Sequence, residues 1–442
     1  MRRPNPGTFA CLMVALFFAC HLGFALLNPD YFLGSTVHWL RYVVAPALLA
    51  AVFLVLARLR APEAKLQIGL GGLAAILALY AVELLQTYRY LDAAAAEAEG
   101  HVAPEAPDTF WAWKPKLLNE VRGVDQLADA VLAGLPMARV RLCSGDYGPL
   151  VIQTDRHGLN NPDTIYDHPL DSAIVGDSFI HGFCQPAGDG VVDRIRVQGV
   201  NVVNAALTGS GPLQQLAIVG RFLPPLKPAV VVACFYEGND IKDLGAELSP
   251  PQNRWYRDAL DESANFGPSA AVAAHLAYAR AHDRELAATY GRQARRGVTG
   301  LLTNRQMLRN FLGLHMTSSA LGMFYQKPPT LLQEYTDEVR RTKSVVATWS
   351  GRLKLCYIPA KYRYAGRLLR PDAAFDVTRE AVAAIAASQG VELIDLTPAF
   401  AEHPEPLRLY ARDGHFSIEG AELAASILAP ALQPPPPQAA AR

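Results

Sequence analysis

The sequence is short of charge. Lys and Arg number 41 against 41 Asp and Glu, a formal net charge of zero, and charged residues make up only 19% of the 442. Without a basic excess no long-range field gathers polyanions, which removes nucleic acid from the expected partners. Cysteine is scarce too: six residues spread between Cys11 and Cys356 do not read as a disulfide framework. Cys143 and Cys184 fall in loop-like segments where a bond is feasible in an oxidising compartment, but spacing alone does not establish one. No internal repeat is visible, which sets solenoids and propellers aside.

What is present instead is apolar. Hydrophobic residues reach 51%, and three long runs, at about 9–27, 40–59 and 66–85, approach the ~20 residues that cross a bilayer core. A signal peptide is the rival reading of the first run, although no small-residue cleavage site follows it. Arg2 and Arg3 precede the first run, Arg58, Arg60 and Lys65 lie between the second and third, and residues 28–37 hold neither Lys nor Arg. Basic loops stay on the cytoplasmic side. Three spans with the N-terminus inside make residues 1–90 an expected integral inner-membrane anchor in the lipid bilayer, with the rest extracytoplasmic, in the periplasm of a bacterium; with only two spans the rest would lie inside.

Residues 91–107 are rich in Ala, Glu and Pro and read as a linker; 108–432 form the main domain; 433–442 are a Pro-rich tail without the means to build a core. Within the domain, SAIVG (172–176), NVVNAAL (201–207), AVVVACFY (229–236), LKLCYIP (353–359) and VELIDL (391–396) are candidate strands. Several are apolar throughout, as strands of a parallel sheet covered on both faces are. Helical spacing over Gln214–Phe222, Leu331–Thr348 and Ala374–Ser388 completes a strand-helix alternation, so the expected class is doubly wound α/β. A helical insertion of about 241–345 interrupts it, with long helices expected over Ala270–Arg296 and Asn304–Phe324. Such an insertion serves as a lid or as scaffold, and sequence does not choose.

Ligands of open α/β sheets bind beyond the carboxyl ends of the strands. The first candidate strand ends in Gly176-Asp177-Ser178, the second leads to Gly209, the third runs into Gly238-Asn239-Asp240, and Asp413 and His415 precede the last helix. Taken singly, each has an ordinary explanation: a turn, loop punctuation, a helix cap. Together they supply a serine nucleophile, an imidazole base and a carboxylate to orient it. The N–H groups of Ser178 and Gly209 and the amide of Asn239 are available for an oxyanion, with Gly176, Asp177, Gly238 and Asp240 in support. No metal or cofactor is called for. The G-x-S-x-G elbow of α/β-hydrolases is absent.

The blocks VGDSF, NAALTGSG, EGND and DGHFS resemble those of the SGNH, or GDSL, hydrolase superfamily over roughly residues 150–430. The resemblance implies a flavodoxin-like three-layer α/β/α fold with Ser178 as nucleophile, His415 as base, Asp413 as its orienter, and Ser178, Gly209 and Asn239 as the oxyanion hole. Two departures stand out: Ala206 occupies a place often held by glycine, and one residue rather than two separates Asp413 from His415. The shorter spacing is similar to that of periplasmic polysaccharide acetyltransferase relatives, and TDRHGLNN (154–161) resembles the lead-in of membrane-linked members. The implied function is hydrolysis or transfer of acyl, chiefly acetyl, groups on acylated envelope glycans, with a separate membrane acyltransferase as a partner if transfer is the reaction. The alternative is a catalytically silent envelope-assembly or glycan-binding protein.

Overall fold

The computed structural model describes residues 5–32, 36–59, 61–100, 109–110, 131–261, 276–285, 305–322, 329–366 and 372–434. The chain divides into two compact units: residues 1–94, 296–328 and 365–375 form one, and the remainder the other.

In the first unit, helix α1 (Pro6–Leu26) and the leading part of α3 (Pro62–Gly100) are long and apolar enough to cross a membrane; the middle run gives a shorter apolar helix over Leu40–Leu56, whose last part is α2 (Ala45–Leu56). Asn5 caps α1 by accepting the Gly7 N–H, and Pro6 sits where a missing N–H costs nothing. Leu16, Leu48, Val55 and Leu77 are each more than half exposed. Exposed large apolar side chains on helices of this length are what a lipid-facing or partner-facing surface carries. The first part of the expected linker, to Gly100, continues α3 as helix, and residues 101–107 lie outside the described residues.

The second unit holds all five expected strands. β1 (Thr109–Phe110), β2 (Arg139–Gly145) and β3 (Gly148–Gln153) make a small sheet; β4 (Ser172–Val175), β5 (Val202–Asn204), β6 (Val230–Tyr236), β7 (Arg352–Ile358) and β8 (Glu392–Asp395) make the main one. Every pairing in the main sheet is parallel, in the order β5-β4-β6-β7-β8. Numbered from its own first strand this is 2-1-3-4-5, the flavodoxin-like order. Alternation along β6 shows the layers. Val231 and Phe235 face α6 (Pro212–Phe222), α8 (Leu332–Ala347) and α9 (Asp372–Ser388), while Val230, Val232 and Cys234 face α5 (Val191–Val197) and α10 (Ile418–Leu432). Each fully buried Val, Leu or Ile contributes about 1.5–3 kcal/mol, so the two apolar faces hold the sheet between its helices.

Of the expected insertion, α7 (Asp240–Glu247), Gln252–Asp261, residues 276–285, Arg305–Leu312 and His315–Ala320 are helical; the flanks of the helix expected over Ala270–Arg296 lie outside the described residues. The helix expected over Asn304–Phe324 is in fact two, broken at Gly313-Leu314, where Leu314 takes a left-handed φ of 54°. The tail beyond residue 434 is likewise outside the described residues.

Candidate active site

β4 lies between β5 and β6, which makes its carboxyl end the point where the strand order reverses and where open α/β sheets bind ligands. There the chain turns through Gly176 and Asp177 into the short helix α4 (Ser178–His181). Asp177 caps this helix by accepting the Phe179 N–H at 3.0 Å. Asn204, at the end of β5, donates to Ile180 O at 3.1 Å, and Asn160 donates to His181 O at 2.7 Å. Ser178 is thus seated by contacts on both ends of its helix, and is itself only 7% exposed.

His415 arrives from a loop at the other end of the sequence. Its Nε2 lies 2.8 Å from Ser178 Oγ, and its Nδ1 lies 2.9 Å from Asp413 Oδ2. The single intervening residue, Gly414, does not prevent the bond: Asp413 Oδ1 also accepts the His415 N–H at 3.0 Å, closing an Asx turn around it. A carboxylate at Nδ1 fixes the proton there and leaves Nε2 to accept from the serine. Burial pushes the Asp413 carboxyl up, but the His415 bond and the Lys361 charge outweigh this and hold it below its usual value. Phe179 and Phe183 flank the imidazole at ring distances of 5.1 and 4.9 Å.

Gly209 and Asn239 follow the ends of β5 and β6, the two neighbours of β4. The loop carrying Gly209 is tied to the turn that leads to Ser178: Gly176 O accepts from Leu207 N and Ser210 Oγ, each at 3.0 Å. Gly209 has φ 76°, a left-handed conformation that disfavours a side chain, and open space lies where one would stand. His181, neutral because burial drives its pKa down to about 4, places Nδ1 3.0 Å from the hydroxyl of Thr208 beside it. Asn239 Nδ2 donates to Asp243 Oδ2 at 2.8 Å, which uses one of its two amide hydrogens. Gly238 precedes it because the Tyr236 ring folds back to within 2.4–2.6 Å of any Cβ there.

Two supporting carboxylates sit beneath. Asp177 is fully buried, and burial raises its pKa to about 6, against the lowering pull of the Phe179 N–H and His415. Asp240 is pushed well above its usual range by burial and by Asp177, while its Oδ2 accepts the Tyr236 N–H at 3.0 Å.

Several contacts that hold the site were left open by the sequence or carry no signal in it. Cys143 and Cys184 are bonded, Cα atoms 5.6 Å apart, so β2 is tied directly to the segment after Ser178. The turn between β2 and β3 also reaches the histidine loop. Asp146 accepts the Arg412 N–H at 2.9 Å and pairs with its side chain, and the Tyr147 hydroxyl accepts the Ile418 N–H at 3.3 Å. Lys361 donates to Ala411 O at 2.6 Å and to Arg412 O at 3.3 Å. Its own position follows from buried Glu237, which accepts from Arg363 at 2.7 and 3.1 Å and from the Ala360 N–H at 2.6 Å.

No protein-family model matches the chain, and no curated protein matches it. Among solved structures, a lipase/acylhydrolase from Enterococcus faecalis is similar at 15% identity, covering 60% of this chain and 100% of that one, with a TM-score of 0.33. A GDSL-like lipase from Bacteroides thetaiotaomicron is similar at 10% identity over 59% of this chain and 86% of that one, TM-score 0.31. A carbohydrate esterase family 2 enzyme with a carbohydrate-binding domain, from Corynascus thermopiles, is similar at 10% identity over 60% of this chain and 66% of that one, TM-score 0.32. These are ester-cleaving enzymes by description, and at such scores the likeness is remote. The chemistry of this chain is read from its own side chains.

Proposed function

We propose that the chain is a membrane-anchored, extracytoplasmic serine esterase or acyl transferase of the SGNH type, acting on O-acyl groups of envelope glycans. The observation that carries the reading is the unbroken line of bonds from Asp413 through His415 to Ser178. His415 Nε2 takes the Ser178 proton as Oγ attacks the ester carbonyl. The tetrahedral oxyanion is met by the N–H groups of Ser178 and Gly209 and the second amide hydrogen of Asn239, the kind of fixed donors that stabilise charge as it develops. His415 then returns the proton to the leaving alcohol, giving an acyl-Ser178 intermediate. Water completes hydrolysis; a sugar hydroxyl in its place completes transfer, in which case a membrane acyltransferase partner would supply the acyl group. The Cys143–Cys184 bond favours an oxidising compartment, in keeping with the charge pattern of the short loops.

A fluorophosphonate probe tests the chemistry. Labelling of the full-length protein in detergent, lost in Ser178→Ala, is the expected result, and an unlabelled but folded wild type refutes it. Turnover of para-nitrophenyl acetate with and without added oligosaccharide then separates water from sugar as acceptor: glycan transfer raises nitrophenol release and acetylates the sugar.

A further inference from the structure

Within the membrane unit, the broken helix pair of residues 305–322 is clasped by the spans. Tyr80 Oη donates to Leu312 O at 2.8 Å, and Tyr42 Oη donates to Gly313 O at 3.3 Å. Arg41 bonds the Ser318 hydroxyl and reaches Gly313 O at 3.5 Å. Glu83, fully buried on an apolar span, accepts the N–H groups of Met316 and Thr317 at 2.9 and 2.8 Å. The Tyr80 ring also meets Phe311, at 5.4 Å. These residues begin the middle run or end the last one, so all lie at one end of the spans.

A helix break leaves carbonyl and amide groups without intrahelical partners, and in hydrocarbon such groups are tolerated only when protein satisfies them. Here span side chains meet them on both sides of the break. Conversely, a carboxylate in an apolar span is costly unless it faces a partner, and Glu83 faces two amides. The segment's composition agrees: no Lys, Arg, Asp or Glu lies between Arg309 and Lys327. From these observations we propose that residues 305–322, although drawn from the insertion in the extramembrane domain, form a re-entrant element whose outer surface contacts phospholipid acyl chains. This rests on the reading of the apolar helices as membrane spans. The bilayer thus binds the chain at a second place, far in sequence from its anchor.

The test uses the full chain in proteoliposomes, with the exposed Cys20 replaced by Ala. A bimane fluorophore is placed at Ala320→Cys, at Leu84→Cys as a span reference, or at the exposed Arg340→Cys as an aqueous reference. In phosphatidylcholine brominated near the headgroup end of its acyl chains, emission is expected to be lost at 320 as strongly as at 84 and kept at 340. Quenching at 84 alone overturns the re-entrant element and leaves the spans intact; no quenching at either position overturns both. With Glu83→Leu, quenching at 320 is expected to fall while that at 84 persists. Unchanged quenching at 320 refutes the clasp.

Discussion

The two halves of the proposed catalytic line are held in opposite ways. Ser178 stands on a buried turn fixed from within the fold, by the Asp177 cap, by Asn204 and Asn160 on the carbonyls of its helix, and by the disulfide just beyond it. His415 and Asp413 stand on a loop, with side chains 20% and 19% exposed, held by Lys361 and by the turn that carries Asp146 and Tyr147. Buried polar groups are expensive to leave unpaired, whereas exposed pairs contribute little to stability. Disturbing the buried supports of the serine, as distinct from its hydroxyl, should therefore reach folding as well as rate, and disturbing the histidine side should reach rate almost alone.

The largest effect belongs to the reacting atoms. Ser178→Ala should lower ester turnover by roughly 10⁴- to 10⁶-fold with an unchanged melting temperature, since removing the nucleophile removes the covalent route. Asp413→Asn should follow at about 10²- to 10⁴-fold through the wrong imidazole tautomer, again with folding intact by circular dichroism. Equal loss from Asp413→Asn and Asp146→Asn would break the comparison, because Asp146 is assigned only to holding the loop.

On the serine side, the Cys143–Cys184 bond closes a loop with a sequence separation of 41, which corresponds to about 4 kcal/mol in the chain-entropy account. The Cys143→Ala/Cys184→Ala pair should lower the denaturation midpoint and activity together, as measured by urea titration. Asp177 gives a pH test. Its pKa is raised to about 6 in the folded protein, so the folded state holds the proton longer than the unfolded chain and stability falls as pH rises from about 4 to 6. Asp177→Asn keeps the cap without that titration, and its stability relative to wild type should improve by roughly 2–3 kcal/mol between pH 4 and pH 7. The smallest expected effect is Lys361→Met: a drop of several-fold in kcat with the urea midpoint nearly unmoved.

How much of this was legible in the sequence follows the same divide. The central strands were readable because a parallel sheet covered on both faces demands unbroken apolar runs, and Val230–Tyr236 is one. That Ser178, His415 and Asp413 meet was readable because each sits at a chain-local signal, a strand end or the start of the last helix. β2 was not, since the alternation Arg139-Val140-Arg141-Leu142 is too short to stand out beside the unbroken apolar runs, and Arg141, which a solvent-facing reading would expose, is itself buried. The disulfide was legible only as an open possibility, because it depends on Cys143, which lies on β2 rather than in a loop, meeting the distant segment after Ser178. Lys361, Asp146 and Tyr147 act across long sequence separations on backbone groups of the histidine loop, and no local pattern encodes that. The break at Gly313-Leu314 escaped for a related reason: its stabilising partners lie in the N-terminal apolar helices rather than in neighbouring residues.

The central claim is that Ser178 carries an acyl group during turnover. Incubating the full-length protein with para-nitrophenyl acetate, quenching in acid and mapping peptides by mass spectrometry reads this directly. One added acetyl group on the peptide bearing Ser178, absent in Ser178→Ala and accumulating in a variant slow in deacylation, is the predicted result. Turnover with no adduct on that peptide, or an adduct that survives Ser178→Ala, would contradict it.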